Sequence, residues 1–323
     1  MTEPLSVQQM AQRLKSADNI LILCHKNPDG DTVGCGSALY YALKALDKNA
    51  AVLCSDTIPA RYAFTNAHLF KGEFEPETVV AVDVAGLQLF GEGNGVPRYS
   101  RHVDLCIDHH AGNSGYADFT LLDGQAAAAA ELLYEVIMAM KVPMTAHIAN
   151  CLYTGLSTDT GCFAYANTTA HTHAVAAALL RTGIDYKTVN KVFFRTKTRK
   201  RMQLEGAMLT QAEFYDCDRI AVLSVPLSLM EQLQATESDA EELSSLGGQI
   251  EGVDCAVTMR ELRPDVWKIS LRTGSRVNAT EVCSLLGGGG HAAAAGCTVE
   301  APWSQARDRV LAAIRQVVPD CQV

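Results

Sequence analysis

The segment His25-Lys26-Asn27-Pro28-Asp29-Gly30-Asp31 sets one imidazole and two carboxylates within a single short turn, directly after the apolar run at 19–24. That run reads as a buried parallel strand. Pro28 and Gly30 force the turn at its carboxyl end, where open α/β sheets place their ligands. Oxygen and nitrogen donors on such a turn can face one point from different sides, and a divalent metal suits that point. Three further sites share the context: Asp83 ends the strand-like run 79–82, Asp108-His109-His110 ends 103–107, and Asp159 follows the apolar helical stretch 149–156. A single aspartate after a strand is usually a cap or turn residue. Four acid-bearing turns in one parallel sheet are harder to dismiss, because a shared carboxyl edge lets them converge.

The donors are His25, Asp29, Asp31, Asp83, His109 and Asp159, with no thiolate among them. That mixture suits Mn²⁺ or Mg²⁺ better than structural zinc. Two ions bridged by a carboxylate sit about 3.5–4 Å apart, the spacing that clamps attacking and leaving oxygens in phosphoryl transfer. Four aspartates and two divalent ions cancel, so a bound phosphate needs further cationic donors. Gly288-Gly289-Gly290 offers backbone N–H groups for an anion nest, His291 a switchable proton donor and Arg272 a bidentate fork. No Gly-Lys-Ser/Thr follows the glycines, which excludes a Walker loop, and no G-x-G-x-x-G follows a strand.

The elements that must position these residues alternate through the first half. A helix is expected over 32–46 with Thr32 as its cap, strands at 51–55, 78–82 and 103–107, and helices over 125–140, 147–157 and 171–182. This rhythm predicts a parallel sheet covered by helices on both faces. A charged helical stretch follows, containing the basic run 195–201, which either steers phosphates or is a solvated face. Strand character resumes at 219–225, an antiparallel pair is expected at 253–262 and 266–273, and helices at 280–286 and 302–317 flank the glycine run. The fold class is therefore α/β: a larger N-terminal parallel-sheet domain over 1–190, a helical linker over 191–215, and a smaller mixed-sheet α/β domain over 216–323.

With 48% apolar and 20% charged residues over 323, the composition supports a large core. A net charge of −9 argues against a broad basic face for long nucleic acid but leaves room for short anionic substrates held by metals. The eleven cysteines form no C-x-x-C pair and read as reduced core thiols. With no leader-like amino terminus and no membrane-length apolar run, a soluble cytoplasmic protein without a membrane partner is expected. His171 and His173 read as solvated helix-end residues. His68, His102 and His147 carry no neighbouring carboxylate pattern and read as structural.

His25-x-Asn27-Pro28-Asp29-x-Asp31, Asp83, Asp108-His109-His110 and Asp159 resemble the four motifs of the DHH phosphoesterase superfamily. Gly288-Gly-Gly-His291-x-x-Ala294-Ala295-Gly296 resembles the signature of its associated C-terminal domain. The two-domain layout is most similar to the bacterial oligoribonuclease (nanoRNase) and 3′,5′-bisphosphate nucleotidase subfamily. The resemblance implies two Mn²⁺ per chain, with Mg²⁺ as the other candidate. His25, Asp29 and Asp83 would hold one, and Asp31, Asp83, His109 and Asp159 the other, with a bridging hydroxide attacking phosphorus. His110 would contact the phosphate or assist the leaving group, and Asp108 would orient its neighbours. Arg272, Gly288, Gly289, Gly290 and His291 would bind substrate across an interdomain cleft. The implied reaction is hydrolysis of very short oligoribonucleotides or dinucleotides to 5′-mononucleotides, and of adenosine 3′,5′-bisphosphate to AMP, with homodimerisation left open. The chain departs from the pattern at Val84, Ala164 and Ala292, each standing where relatives often carry a potential phosphate or base contact. Two other readings are an inorganic polyphosphate or pyrophosphate hydrolase, which base-stacking residues would tell apart, and a non-catalytic nucleotide-binding regulator, which lost ligands would mark. No ligand is lost.

Overall fold

Short apolar runs without polar alternation build the centre of the first sheet. Its six strands are β1 (Glu3–Pro4), β2 (Ile20–Leu23), β3 (Ala50–Leu53), β4 (Thr78–Val82), β5 (Leu105–Asp108) and β6 (Phe119–Leu122). All pairings are parallel, in the order β1-β6-β5-β4-β2-β3. β2 and β3 are buried throughout, as a parallel sheet sandwiched between helices requires. β1 and β6 lie outside the expected strands: β1 is two residues long with no apolar run, and β6 is a four-residue strand whose Leu122 is exposed. The chain leaves β2 toward β3 on one side and returns to β4 on the other. The carboxyl ends of β2 and β4 therefore flank the switch point where such sheets take ligands. The computed structural model describes residues 2–240 and 243–318.

Helices α1 (Val7–Ser16), α2 (Gly30–Lys44), α3 (Val96–Tyr99), α4 (Ala129–Ala139), α5 (Ala146–Asp159), α6 (Ala170–Leu180) and α7 (Tyr186–Asn190) accompany this sheet. Thr32 does not cap α2. Asp29 does, its Oδ1 accepting from the N–H groups of Asp31 (3.0 Å) and Thr32 (3.2 Å). The Thr32 hydroxyl instead donates to the Val82 carbonyl (3.1 Å) and accepts from the His25 N–H (3.3 Å), tying the ends of β2 and β4 together. α4 starts later than the expected residue 125, because Ala128 is still extended.

The amino-terminal half of α2 is made of small residues, and that lets it lie against α5. A methyl on Gly34 would stand 2.4 Å from the Cys151 carbonyl oxygen, and one on Gly155 would stand 2.4 Å from Asp31 Oδ1. The two helices touch backbone to backbone, and Gly155 makes the room that Asp31 fills.

The chain folds as two compact units, Met1–Thr196 and Lys197–Val323. The stretch expected as a separate linker is shared between them. Lys191–Arg195 forms a π-turn in the first unit, whereas α8 (Arg199–Thr210) and β7 (Glu213–Tyr215) belong to the second. Leu204 and Met208 of α8 are buried with Ala221, Leu223 and Val225, which explains its membership. The second unit continues with β8 (Ile220–Val225), α9 (Leu227–Leu233), β9 (Cys255–Arg263), β10 (Val266–Thr273), α10 (Ala279–Ser284), β11 (Gly289–His291), β12 (Ala294–Glu300) and α11 (Trp303–Val317). Its sheet runs β11-β12-β10-β9-β8-β7, with only β8 and β9 parallel.

Gly34→Ala should gain about 1 kcal/mol of helix propensity but lose about 1–3 kcal/mol by driving a methyl into backbone that cannot yield. Gly206→Ala, on the exposed face of α8 with nothing among the described residues within 4 Å of the new methyl, should be stabilising by about 0.5–1 kcal/mol. Calorimetric melting should therefore shift in opposite directions for the two variants.

Candidate metal centre

Four strand or helix ends deliver their polar residues to one place in the first unit. Asp83 is its middle. It sits just past β4 with a left-handed φ of 58°, and is 2% exposed. Its Oδ2 lies 3.6 Å from His25 Nε2 and its Oδ1 3.5 Å from His109 Nε2. Around it the donor atoms form two groups, His25–Asp29–Asp83 and Asp31–His109–Asp159, each within 4.8 Å; a third, Asp83, His109 and His110, shares one residue with each. All the metal and catalytic candidates of the first unit thus meet.

Each imidazole is aimed by its other nitrogen. His25 Nδ1 donates to the Lys26 carbonyl (2.7 Å) and His109 Nδ1 to the Ala126 carbonyl (3.2 Å). That turns both Nε2 atoms toward carboxylates: His25 to Asp29 Oδ1 (3.5 Å), His109 to Asp159 Oδ2 (3.3 Å). This is how metal-ligating histidines are commonly oriented.

Asp31 is fully buried, and its oxygens accept from the N–H groups of Ala129 (2.6 Å) and Ala130 (3.1 Å). Since Ala128 supplies no side-chain cap, Asp31 caps α4 from across the fold. The Cys35 thiol also donates to it (3.3 Å). The rim is more open, with the Asp29 side chain 53% and that of Asp159 22% exposed.

Asp108 is fully buried and saturated. It accepts from the His109 N–H (2.9 Å), from Asn113 Nδ2 (2.6 Å) and from His110 Nδ1 (2.8 Å). Burial opposes its charge, but His110 and Asn113 outweigh it and keep the carboxyl below the usual range. In return Asp108 raises His110, whose side chain is 45% exposed.

The site is strongly negative. Burial lowers the basicity of His25 and His109, yet Asp29 and Asp83 push His25 up to about 11, and Asp159 and Asp83 push His109 up to about 12. Burial, then Asp83 and Asp159, hold the Asp31 carboxyl well above its ordinary value. Burial likewise raises Asp159 to about 6 against the pull of His109. Two buried atoms in the middle, Asp83 Oδ1 and His109 Nε2, make no hydrogen bond among the described residues. Unspent donors facing one point in a negative field fit divalent cations.

The second unit holds the remaining candidates. Gly289 and Gly290 lie in the edge strand β11, paired with Gly296 and Ala295. Glycine is required there because a methyl on Gly288 would meet the Gly296 carbonyl oxygen at 2.2 Å, and one on Gly290 the Ala294 oxygen at 2.6 Å. His291 pairs with Ala294, which pairs in turn with Arg272, so the three align across the sheet.

Several supports escape sequence reasoning. Asn113 anchors Asp108, and Asn167 donates to the carbonyls of Ala127 (3.0 Å) and Asp159 (3.1 Å). Both asparagines act across loops. His102 does have carboxylate neighbours, Asp104 and Asp118 at 3.4 Å each, on the exposed surface, and His68 pairs with Glu73. His171 lies 3.1 Å from Glu135, and His173 stacks on Phe163. No described helix is long and apolar enough to cross a membrane.

Comparison with known proteins agrees with this geometry. Residues 19–156 match the DHH family, N-terminal domain, and residues 219–320 match the DHHA1 domain. The chain is 33% identical to the bifunctional oligoribonuclease and PAP phosphatase NrnA of Thermus thermophilus, over 95% of this chain and 93% of that one. It is 24% identical to the Bacillus subtilis protein of the same name, over 94% and 96%. Among solved structures, an exopolyphosphatase-related protein from Bacteroides fragilis shares the fold with a TM-score of 0.87 at 23% identity, over 98% of this chain and 97% of that one. Exonuclease RecJ bound to manganese gives a TM-score of 0.52 at 15% identity, over 99% and 97%. Two domain matches in order, and one-third identity across almost the whole of a relative, establish that this chain belongs to the DHH family of phosphoesterases carrying a DHHA1 domain, and so to the hydrolases.

Proposed function

We propose that this chain hydrolyses very short oligoribonucleotides or dinucleotides to 5′-mononucleotides, and adenosine 3′,5′-bisphosphate to AMP, using two divalent ions, Mn²⁺ or Mg²⁺. The observation that carries the reading is the orientation of His25 and His109, whose Nε2 atoms face different oxygens of one buried aspartate. The names of the Thermus and Bacillus relatives support the substrate class. His25, Asp29 and Asp83 would hold one ion; Asp31, Asp83, His109 and Asp159 the other. When bound, such ions supply Lewis acidity and acidify water.

The chain's own residues do the rest. Asp83 fixes the spacing of the two groups through its separate oxygens. Asp108 accepts a hydrogen bond from the Nδ1–H of His110, which leaves Nε2 of that exposed ring to donate to a phosphate oxygen or the departing ribose oxygen when protonated. The buried floor around Asp31 and Asp83 keeps bulk water from one side of the reacting phosphate. In the second unit, Arg272, His291 and the backbone of Gly288, Gly289 and Gly290 would take the outlying phosphate or ribose.

The purified chain with Mn²⁺ should release mononucleotides from dinucleotide and pentanucleotide RNA, and phosphate from adenosine 3′,5′-bisphosphate. Inactivity on all three would sink the reading. Asp83→Ala should lose roughly a thousandfold or more in kcat, the scale of several kcal/mol of metal-derived stabilisation, with its circular dichroism unchanged; retained activity would contradict the assignment. Asp108→Asn should lower kcat by about ten- to a hundredfold, with little change in KM, because it frees His110 without removing a metal donor.

A further inference from the structure

Asp159 is followed by a short segment with an uncommon backbone. Gly161, Cys162 and Phe163 all have left-handed φ values, 55°, 57° and 68°. The strain is held by hydrogen bonds from Cys162 N–H to the Ser157 carbonyl (2.7 Å) and from the Ala164 and Tyr165 N–H groups to the Thr160 carbonyl (2.9 and 3.0 Å). Phe163 turns inward and stacks on His173, with ring centroids 5.4 Å apart. Tyr165 turns outward. At 59% exposure it is the most exposed large apolar side chain among the described residues.

The ring is nonetheless placed. It lies directly on Gly161, where a methyl would meet Cε1 and Cζ of the ring at 2.4 Å, so one side is seated on backbone and the rest is open. Gly161 is the second residue after Asp159, and Asn167, beyond Tyr165, donates back to the Asp159 carbonyl. An aromatic ring exposed to water, fixed from beneath and tied at both ends to a donor of the metal centre has the form of a stacking platform.

We infer that Tyr165 stacks a nucleobase of the substrate, and so favours nucleotides over base-free phosphoesters. The inference rests on the short-RNA reading above and deepens it by naming the residue that reads the base. Stacking on an aromatic ring tolerates every base, since each has a π-face.

The test compares wild type, Tyr165→Phe and Tyr165→Ala with Mn²⁺ on two substrates: a dinucleotide, and the same sugar-phosphate backbone without bases. Tyr165→Ala should lower kcat/KM on the dinucleotide by roughly ten- to a hundredfold, Tyr165→Phe should stay near wild type, and all three should cleave the abasic analogue alike. Equal losses on both substrates would mean that the ring only supports the loop. No loss on either would mean that it is unused. Each result overturns the inference while leaving the short-RNA reading standing. A wild type inactive on both substrates would overturn the reading and the inference together.

Discussion

Four aspartates crowd around two imidazoles, and the rest of the first unit is arranged so that this crowding can exist. Carboxylates gathered in a poorly hydrated place repel one another and resist ionisation. The fold answers with oriented N–H groups. The start of α2 faces Asp29, the start of α4 faces Asp31, and Asp108 is saturated by backbone and side-chain donors. Helix amino termini carry partial positive charge, so both helices are placed where they offset the cluster. What the protein groups do not satisfy is its middle, Asp83 Oδ1 and His109 Nε2. The residual demand is for positive charge.

That demand also explains a packing feature that would otherwise cost stability. Glycines inside helices weaken them, yet α2 and α5 keep Gly34 and Gly155 where they meet. Only so close a crossing puts Asp31, at the start of one helix, beside Asp159, at the end of the other. The same small residues that loosen the helices locally set the distance across the site, so helix propensity gives way to geometry.

Much of this could be read along the chain. Asp29, Asp31, Asp83 and the Asp108-His109-His110 run each follow an apolar strand, and a parallel sheet brings such positions to one edge; Asp159 instead ends helix α5 and reaches the site through the packing of α5 on α2. Less could be read wherever a role depends on a distant partner. Asp31 caps a helix that begins 98 residues later, and nothing beside it announces that. Thr32 has the composition of a cap but bridges two strands, because Asp29 reaches the free N–H groups first. The glycine run resembles a loop in composition, yet β12 recruits it as an edge strand whose close packing needs glycine. Asn113 and Asn167 belong to loops, where spacing carries no period to read.

The central claim is that the aspartate cluster exists to hold two divalent cations around Asp83. Its most direct test is a crystal structure of the protein grown with Mn²⁺, using anomalous scattering to locate manganese. Two peaks per chain should appear, one among His25, Asp29 and Asp83, the other among Asp31, Asp83, His109 and Asp159. No peak there at saturating Mn²⁺, or manganese bound only at other residues, would contradict the account.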